Sequence, residues 1–142
     1  MSFAIKTEIP DLAAASFTFT RQKTMYGGKQ IAAGDTIFLF ASENEGGQGL
    51  FARGVVTAAQ ALARQPGIAR QTPRVDLSVR RTALAQRPLG RGELKRFSAW
   101  DDGRPETELN FKFYRQATNK IVGLSDETAS YLDRFFEDTA EI

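Results

Sequence analysis

Thr36-Ile37-Phe38-Leu39-Phe40-Ala41 and, after eight intervening residues, Leu50-Phe51-Ala52-Arg53-Gly54-Val55-Val56-Thr57 carry the architecture of this chain. Successive side chains of a strand point to opposite faces, so Ile37, Leu39 and Ala41 form one apolar face and Phe38 and Phe40 the other. A strand apolar on both faces is covered on both sides. The second run reads as its antiparallel partner, and Gly54 within it marks a bulge or close backbone approach where a sheet bends to close. The connection, Ser42-Glu43-Asn44-Glu45-Gly46-Gly47-Gln48-Gly49, is too long and glycine-rich for a tight turn. Gly34-Asp35 is a turn pair that aims the first strand, and turn geometry alone accounts for both residues.

Outward from this hairpin, Ser16 to Arg21 alternates, with Phe17 and Phe19 on one face and Thr18 and Thr20 on the other. Ala58 to Arg64 is alanine-rich and stops before Pro66-Gly67, which predicts a short helix. Arg74 to Arg80 alternates again: Val75, Leu77 and Val79 face inward, Arg74, Asp76, Ser78 and Arg80 outward. Gly92 to Phe97 reads as one helical turn, Leu109 to Arg115 as a strand with Leu109, Phe111 and Phe113 inward, and Lys120 to Leu124 as a short last strand. Ser125 is an N-cap followed by Asp126 and Glu127, and Ala129, Leu132, Phe135 and Phe136 form one apolar stripe of a closing helix. The fold class is α+β: a small, mostly antiparallel β-barrel with short peripheral helices and a C-terminal helix. No repeat, linker or low-complexity tract divides the chain, so residues 1–142 are expected to form a single domain.

The chain has no cysteine and no histidine. That removes thiolate nucleophiles, Ser-His and Cys-His dyads, disulfides and nearly all zinc sites. A bound metal would have to be a hard, oxygen-liganded cation. At 142 residues the chain can bury roughly 68–70% of its extended surface, enough for a core without staples. Met1 to Pro10 carries Lys6 and Glu8 and no apolar h-region, and Ile37 to Ala41 is the longest apolar run; a cytoplasmic protein with no membrane association is expected.

The net charge of +2 hides a polarity along the chain. Residues 51–97 carry +8, flanked by −1 before and −5 after, and nine of the ten basic residues in the middle segment are arginines. Arginine favours bidentate contact with oxyanions. Two readings stay open: a phosphate-binding face, and a solvated face that pairs with the acidic C-terminal third.

The run Ile31 to Ser42, with Gly47-Gln48-Gly49-Leu50-Phe51-Ala52-Arg53-Gly54-Val55-Val56, resembles the central hairpin of the PUA-like superfamily, which includes the EVE, ASCH and YTH groups. Phe113-Tyr114-Arg115-Gln116-Ala117-Thr118, then Ile121-Val122-Gly123-Leu124-Ser125-Asp126-Glu127, is similar to the last strand and closing helix of EVE-like domains. Together the two matches cover nearly half the chain. The resemblance implies a barrel-mouth pocket that accepts a nucleobase, often modified and turned out of its stack, with a basic surface holding the flanking phosphates of RNA or DNA. Such a pocket needs aromatic walls and polar edge readers. The wall candidates are Phe17, Phe19, Tyr26 and Trp100, and the edge readers Thr18, Ser42, Asn44, Gln116 and Asn119. For phosphates the candidates are Arg21, Lys23, Arg80, Arg81, Arg87 and Lys120.

Catalytic readings are weaker. Asp76 with Glu93-Leu94-Lys95 has the residue types of a Mg²⁺-dependent nuclease, but the triplet lies in helical or loop sequence rather than on a buried strand. Asp101-Asp102 with Glu106 and Glu108 reads as a solvated acidic loop, and Gly46-Gly47-Gln48-Gly49 lacks the Lys-Ser/Thr of a phosphate loop. The expectation is a non-catalytic nucleic-acid-binding domain with no cofactor and no metal. The alternatives are a protein-interaction or small-molecule-binding module on the same fold and, third, the nuclease.

Overall fold

The computed structural model describes residues 1–99, 101–115 and 118–137. Six strands follow one another: β1 (Ser2–Thr7), β2 (Ser16–Met25), β3 (Thr36–Ala41), β4 (Gly49–Ala61), β5 (Arg74–Leu84) and β6 (Lys120–Gly123). They close into a barrel in the order β1-β3-β4-β5-β2-β6. Four of the pairings are antiparallel, while β1 with β3 and β2 with β6 run parallel. The helices are short: α1 (Arg91–Leu94), α2 (Pro105–Leu109) continuing into a π-helical turn over Asn110–Tyr114, and α3 (Asp126–Asp133) running on into a 3₁₀ turn, Arg134–Phe136. No helix among the described residues is long and apolar enough to cross a membrane.

The two faces of β3 bury into two different cores. Ile37 and Leu39 join Phe3, Ile5, Phe19, Val75, Leu77 and Ile121 inside the barrel, and every one of these is at most 6% exposed. Phe38 and Phe40 pack outward with Phe113, Leu109, Leu94 and Leu132 of the helical layer. The barrel lumen is therefore filled by aliphatic and aromatic side chains rather than left hollow. Gly54 shows why the wall can bend: a Cβ there would sit 2.6 Å from the Arg80 carbonyl oxygen, and the register slips between Arg53 and Gly54. At the end of the chain, Ser125 accepts from the Thr128 amide at 3.2 Å as the α3 cap, and Ala129, Leu132 and Phe135 face the outer core.

Two elements differ from the sequence expectation. Ala58 to Ala61 extends β4 instead of starting a helix, because it pairs in register with β5 from Ala58↔Ser78 to Ala61↔Val75. Cross-strand pairing overrides alanine's helical preference here. Leu109 to Arg115 is helical instead of a strand: Pro105 opens the helix, Leu109 and Phe113 are fully buried four residues apart, and Phe111 turns outward at 40% exposure. A period of two links Leu109, Phe111 and Phe113; the burial follows a period of four. The strand β1, with Phe3, Ala4 and Ile5 buried between β3 and β6, was not anticipated.

Candidate nucleic-acid interface

A cleft of about 610 Å³ opens between β2 and the chain that joins β4 to β5, and Arg21, Lys23, Arg64, Arg70 and Arg74 line it with no acidic side chain. The connecting loop is held in shape by Gln71, whose Oε1 accepts from the Gln65 amide and whose Nε2 donates to the Gln65 and Ile68 carbonyls at 2.7–2.9 Å. Arg64 donates to the Ala69 carbonyl across the same loop at 3.0 Å. On the opposite wall Arg21 lies in a β-bulge: Phe19 pairs with Leu77 and Gln22 with Val75, so Thr20 and Arg21 together face Asp76. Among the described residues, Arg53 with Asp133 (2.8 Å) is the one ion pair between a cation of residues 51–97 and an acid. Among the described residues, the arginines of the cleft make no ion pair with the acidic third of the chain.

A second cluster sits outside the barrel, where β1, β3 and β6 meet the helical layer. Lys6 and Lys120 are cross-strand neighbours and both are wholly buried. The Lys6 ammonium donates to the Phe113 carbonyl at 2.8 Å and lies 4.9 Å from the Tyr114 ring centre. Burial lowers its pKa to about 8, opposed by the nearby Glu43 carboxylate and reinforced by Lys120 and Arg91. Burial, with Lys23 nearby, also holds Lys120 below the usual lysine range. Tyr114 donates its hydroxyl to both Glu43 oxygens at 3.1 Å; burial first and the Glu43 charge second push its pKa up, so it stays a donor. Glu43 also accepts from the Arg91 amide at 2.7 Å, while the Arg91 guanidinium donates to Asn44 at 3.1 Å. Ser42 is 2% exposed, and among the described residues its Oγ is the buried side-chain polar atom left without a hydrogen-bond partner. An unpartnered buried hydroxyl is costly unless something else uses it.

The structure gathers some of the sequence candidates and separates others. Ser42, Asn44, Asn119 and Lys120 share the second cluster, with Asn119 donating to Glu45 at 3.2 Å. Arg21 and Lys23 line the basic cleft. Phe19 belongs to the barrel core; Phe17 is half-buried, stacked on it at 5.9 Å and edge-on to Phe51 at 6.0 Å. Thr18 is exposed on β2. Tyr26 is 40% exposed and meets Phe111, ring centres 5.7 Å apart. Arg80 is exposed opposite Ser16, at the end of the β2–β5 ladder away from Lys23 and Arg74. Arg81 donates to the Ala13 and Ala14 carbonyls at 2.9 Å, and Arg87 covers the Phe135 ring at 4.2 Å. Trp100 and Gln116 lie outside the described residues. Arg64, Arg70, Arg74, Lys6, Glu43, Tyr114 and Phe111 were not singled out from the sequence.

The nuclease carboxylates serve the backbone. Asp76 accepts from the Arg21 amide at 2.8 Å and Glu93 from the Gly90 amide at 3.0 Å. No group of three or more acidic side chains among the described residues is arranged to hold a metal ion.

The closed six-strand barrel with short helices against one outer face agrees with the PUA-like fold that the sequence resemblance implies. No family profile matches the chain, and no curated protein sequence matches it. Solved structures do match. The DUF55 domain of human thymocyte nuclear protein 1 is similar with a TM-score of 0.64 and 14% identity, over 96% of this chain and 99% of that one. Human THYN1 in complex with 5-methylcytosine-containing DNA gives 0.64 and 16%, over 96% and 98%. A protein from Rhodopseudomonas palustris gives 0.60 and 14%, over 99% and 97%. At these identities the shared property is the fold.

Proposed function

We infer that this chain is a non-catalytic nucleic-acid-binding domain that reads a base, of a kind that can be modified, and holds the flanking phosphates. The observation that carries the reading is the cleft of five cations without a carboxylate in its lining. Among the described residues none of these five cations has a carboxylate partner, and their mutual repulsion is relieved by a polyanion. The likeness in fold to human THYN1, whose structure contains 5-methylcytosine DNA, supports the same reading. The base-reading role goes to the second cluster: Ser42 supplies a hydroxyl with no hydrogen-bond partner among the described residues, and Asn44 and Asn119 stand at its rim.

The test is anisotropy of a fluorescein-labelled oligonucleotide titrated with the full chain at several salt concentrations. With about five phosphate contacts, log affinity against log salt should fall with a slope near −3.5 for a single strand or −4.5 for a duplex. Replacing Arg64 and Arg70 together by alanine should make that slope shallower by about 1.4 for a single strand or about 1.8 for a duplex. A response flat in salt overturns the reading. Ser42→Ala should leave unfolding stability unchanged or higher, since it deletes an unpartnered polar atom, and should weaken binding of the base.

A further inference from the structure

In the described chain, the non-glycine residues with positive φ are Arg21 (φ 53°) and Tyr26 (φ 52°), and both belong to the same stretch: Arg21 in β2, Tyr26 immediately after its last residue. Side chains with a Cβ adopt this left-handed conformation at a cost, and such residues persist where the surroundings enforce them. The enforcement is visible. The Arg21 amide donates to Asp76 at 2.8 Å and its carbonyl accepts from Arg74 at 2.6 Å. The Tyr26 carbonyl accepts from the Gly123 amide at 3.1 Å, and Gly123 has no room for a Cβ because one would lie 2.7 Å from that oxygen.

Each enforced residue presents a different chemistry. Arg21 with Lys23 forms one wall of the basic cleft. Tyr26 meets Phe111, both 40% exposed, in a tilted aromatic pair at the surface. Phe111 stands on the π-helical turn, closed by the Arg115 amide bonding the Asn110 carbonyl at 3.0 Å, and π turns recur at functional sites. Arg115, exposed, lies 5.7 Å from the Phe111 ring centre. Four residues separate Arg21 from Tyr26, five steps of about 3.3 Å or about 16 Å when extended. Phe111 also borders a smaller cleft lined by Glu108, Asp126 and Glu127 against the single cation Arg104, a net negative lining that disfavours a phosphate backbone. The favourable direction away from the aromatic pair is toward Lys23 and Arg21.

We propose that β2 is a track for single-stranded nucleic acid, with an unpaired base stacked on Tyr26 and Phe111 and the adjoining phosphates held by Lys23 and Arg21. A charged groove joined to an exposed aromatic platform suits single strands, because a base within a duplex has no free face to offer. The inference rests on the proposed function and adds to it the form of the ligand and the stacking residues.

Binding of the full chain to a labelled 12-residue oligothymidylate and to a hairpin duplex of similar charge tests it. The single strand should bind more tightly. Phe111→Ala and Tyr26→Ala should each weaken the single strand about tenfold and change duplex binding less than twofold. Phe111→Tyr, which keeps the ring, should bind as the parent does. Arg21→Gly should bind the single strand several-fold more weakly while melting no lower than the parent, since glycine adopts φ 53° freely. If the parent binds oligonucleotide and Phe111→Ala binds the single strand equally well, or loses single strand and duplex alike, the track is overturned and the wider reading stands. If the parent binds no nucleic acid, the wider reading falls and the track with it.

Discussion

Lys6 is an amine with no exposed surface, one hydrogen bond to a carbonyl and a second lysine beside it. Its pKa falls from 10.5 to about 8 on folding. Below about 8 both the folded and the unfolded chain hold the proton, and the folded chain carries the cost of a buried charge. Between about 8 and 10.5 the unfolded chain binds a proton that the folded chain does not, so stability rises with pH across that window. Urea unfolding at pH 7.5 and pH 10 should show the parent gaining relative to Lys6→Met, by up to about 3 kcal/mol at 1.36 kcal/mol per unit. An unchanging difference would mean that the amine is solvated. Nothing in the sequence marks this lysine: a cation in a mixed N-terminal stretch reads as a solvent-facing residue, and only the closure of β1 between β3 and β6 buries it. Ser42, by contrast, is legible as the residue that ends an apolar strand and opens a glycine-rich loop, though its missing partner is not.

At the scale of the element, glycine shows how much of the barrel is fixed by close backbone approach. A Cβ on Gly54 would meet the Arg80 carbonyl oxygen and Val79 Cγ1, each at 2.6 Å, whereas one on Gly92 in α1 meets nothing within 4 Å. Thermal melts should therefore separate the two substitutions: Gly54→Ala costs about 1–3 kcal/mol through overpacking, and Gly92→Ala gains about 0.5–1 kcal/mol from lower chain entropy. Equal effects would show that the β4 bulge has slack. The alternation within β3 and β5, the bend at Gly54 and the Ser125 cap are all legible in the sequence because each depends on neighbours a few residues away. The continuation of β4 through Ala61 depends on β5, residues distant in the chain, and could not be read locally. Phe111 was lost for a related reason: Leu109, Phe111 and Phe113 satisfy a strand period, and the signal for a helix lay outside that window, in Pro105 and the acidic Glu106 and Glu108 of the first turn.

For the whole molecule, β3 is shared between two cores that lie on opposite sides of the barrel wall. Leu39 and Phe40, adjacent in sequence and both fully buried, sample one core each: Leu39 touches the filled lumen, and Phe40 packs on Phe113 with ring centres 5.1 Å apart. The helical layer has little of its own to hold it together, since its helices span four, five and eight residues and short helices are marginal without tertiary packing. The layer should therefore fold only with the wall, as one cooperative unit. Leu39→Ala and Phe40→Ala should each destabilise by about 2–5 kcal/mol, and in both the far-ultraviolet and near-ultraviolet circular dichroism transitions should remain coincident. Were Phe40→Ala to lose its near-ultraviolet signal in a separate, earlier transition while the strands persisted, the helical layer would be an independent unit. The hydrogen bonds between Tyr114 and Glu43, beside Ser42, could then be opened to a ligand without disturbing the barrel at all.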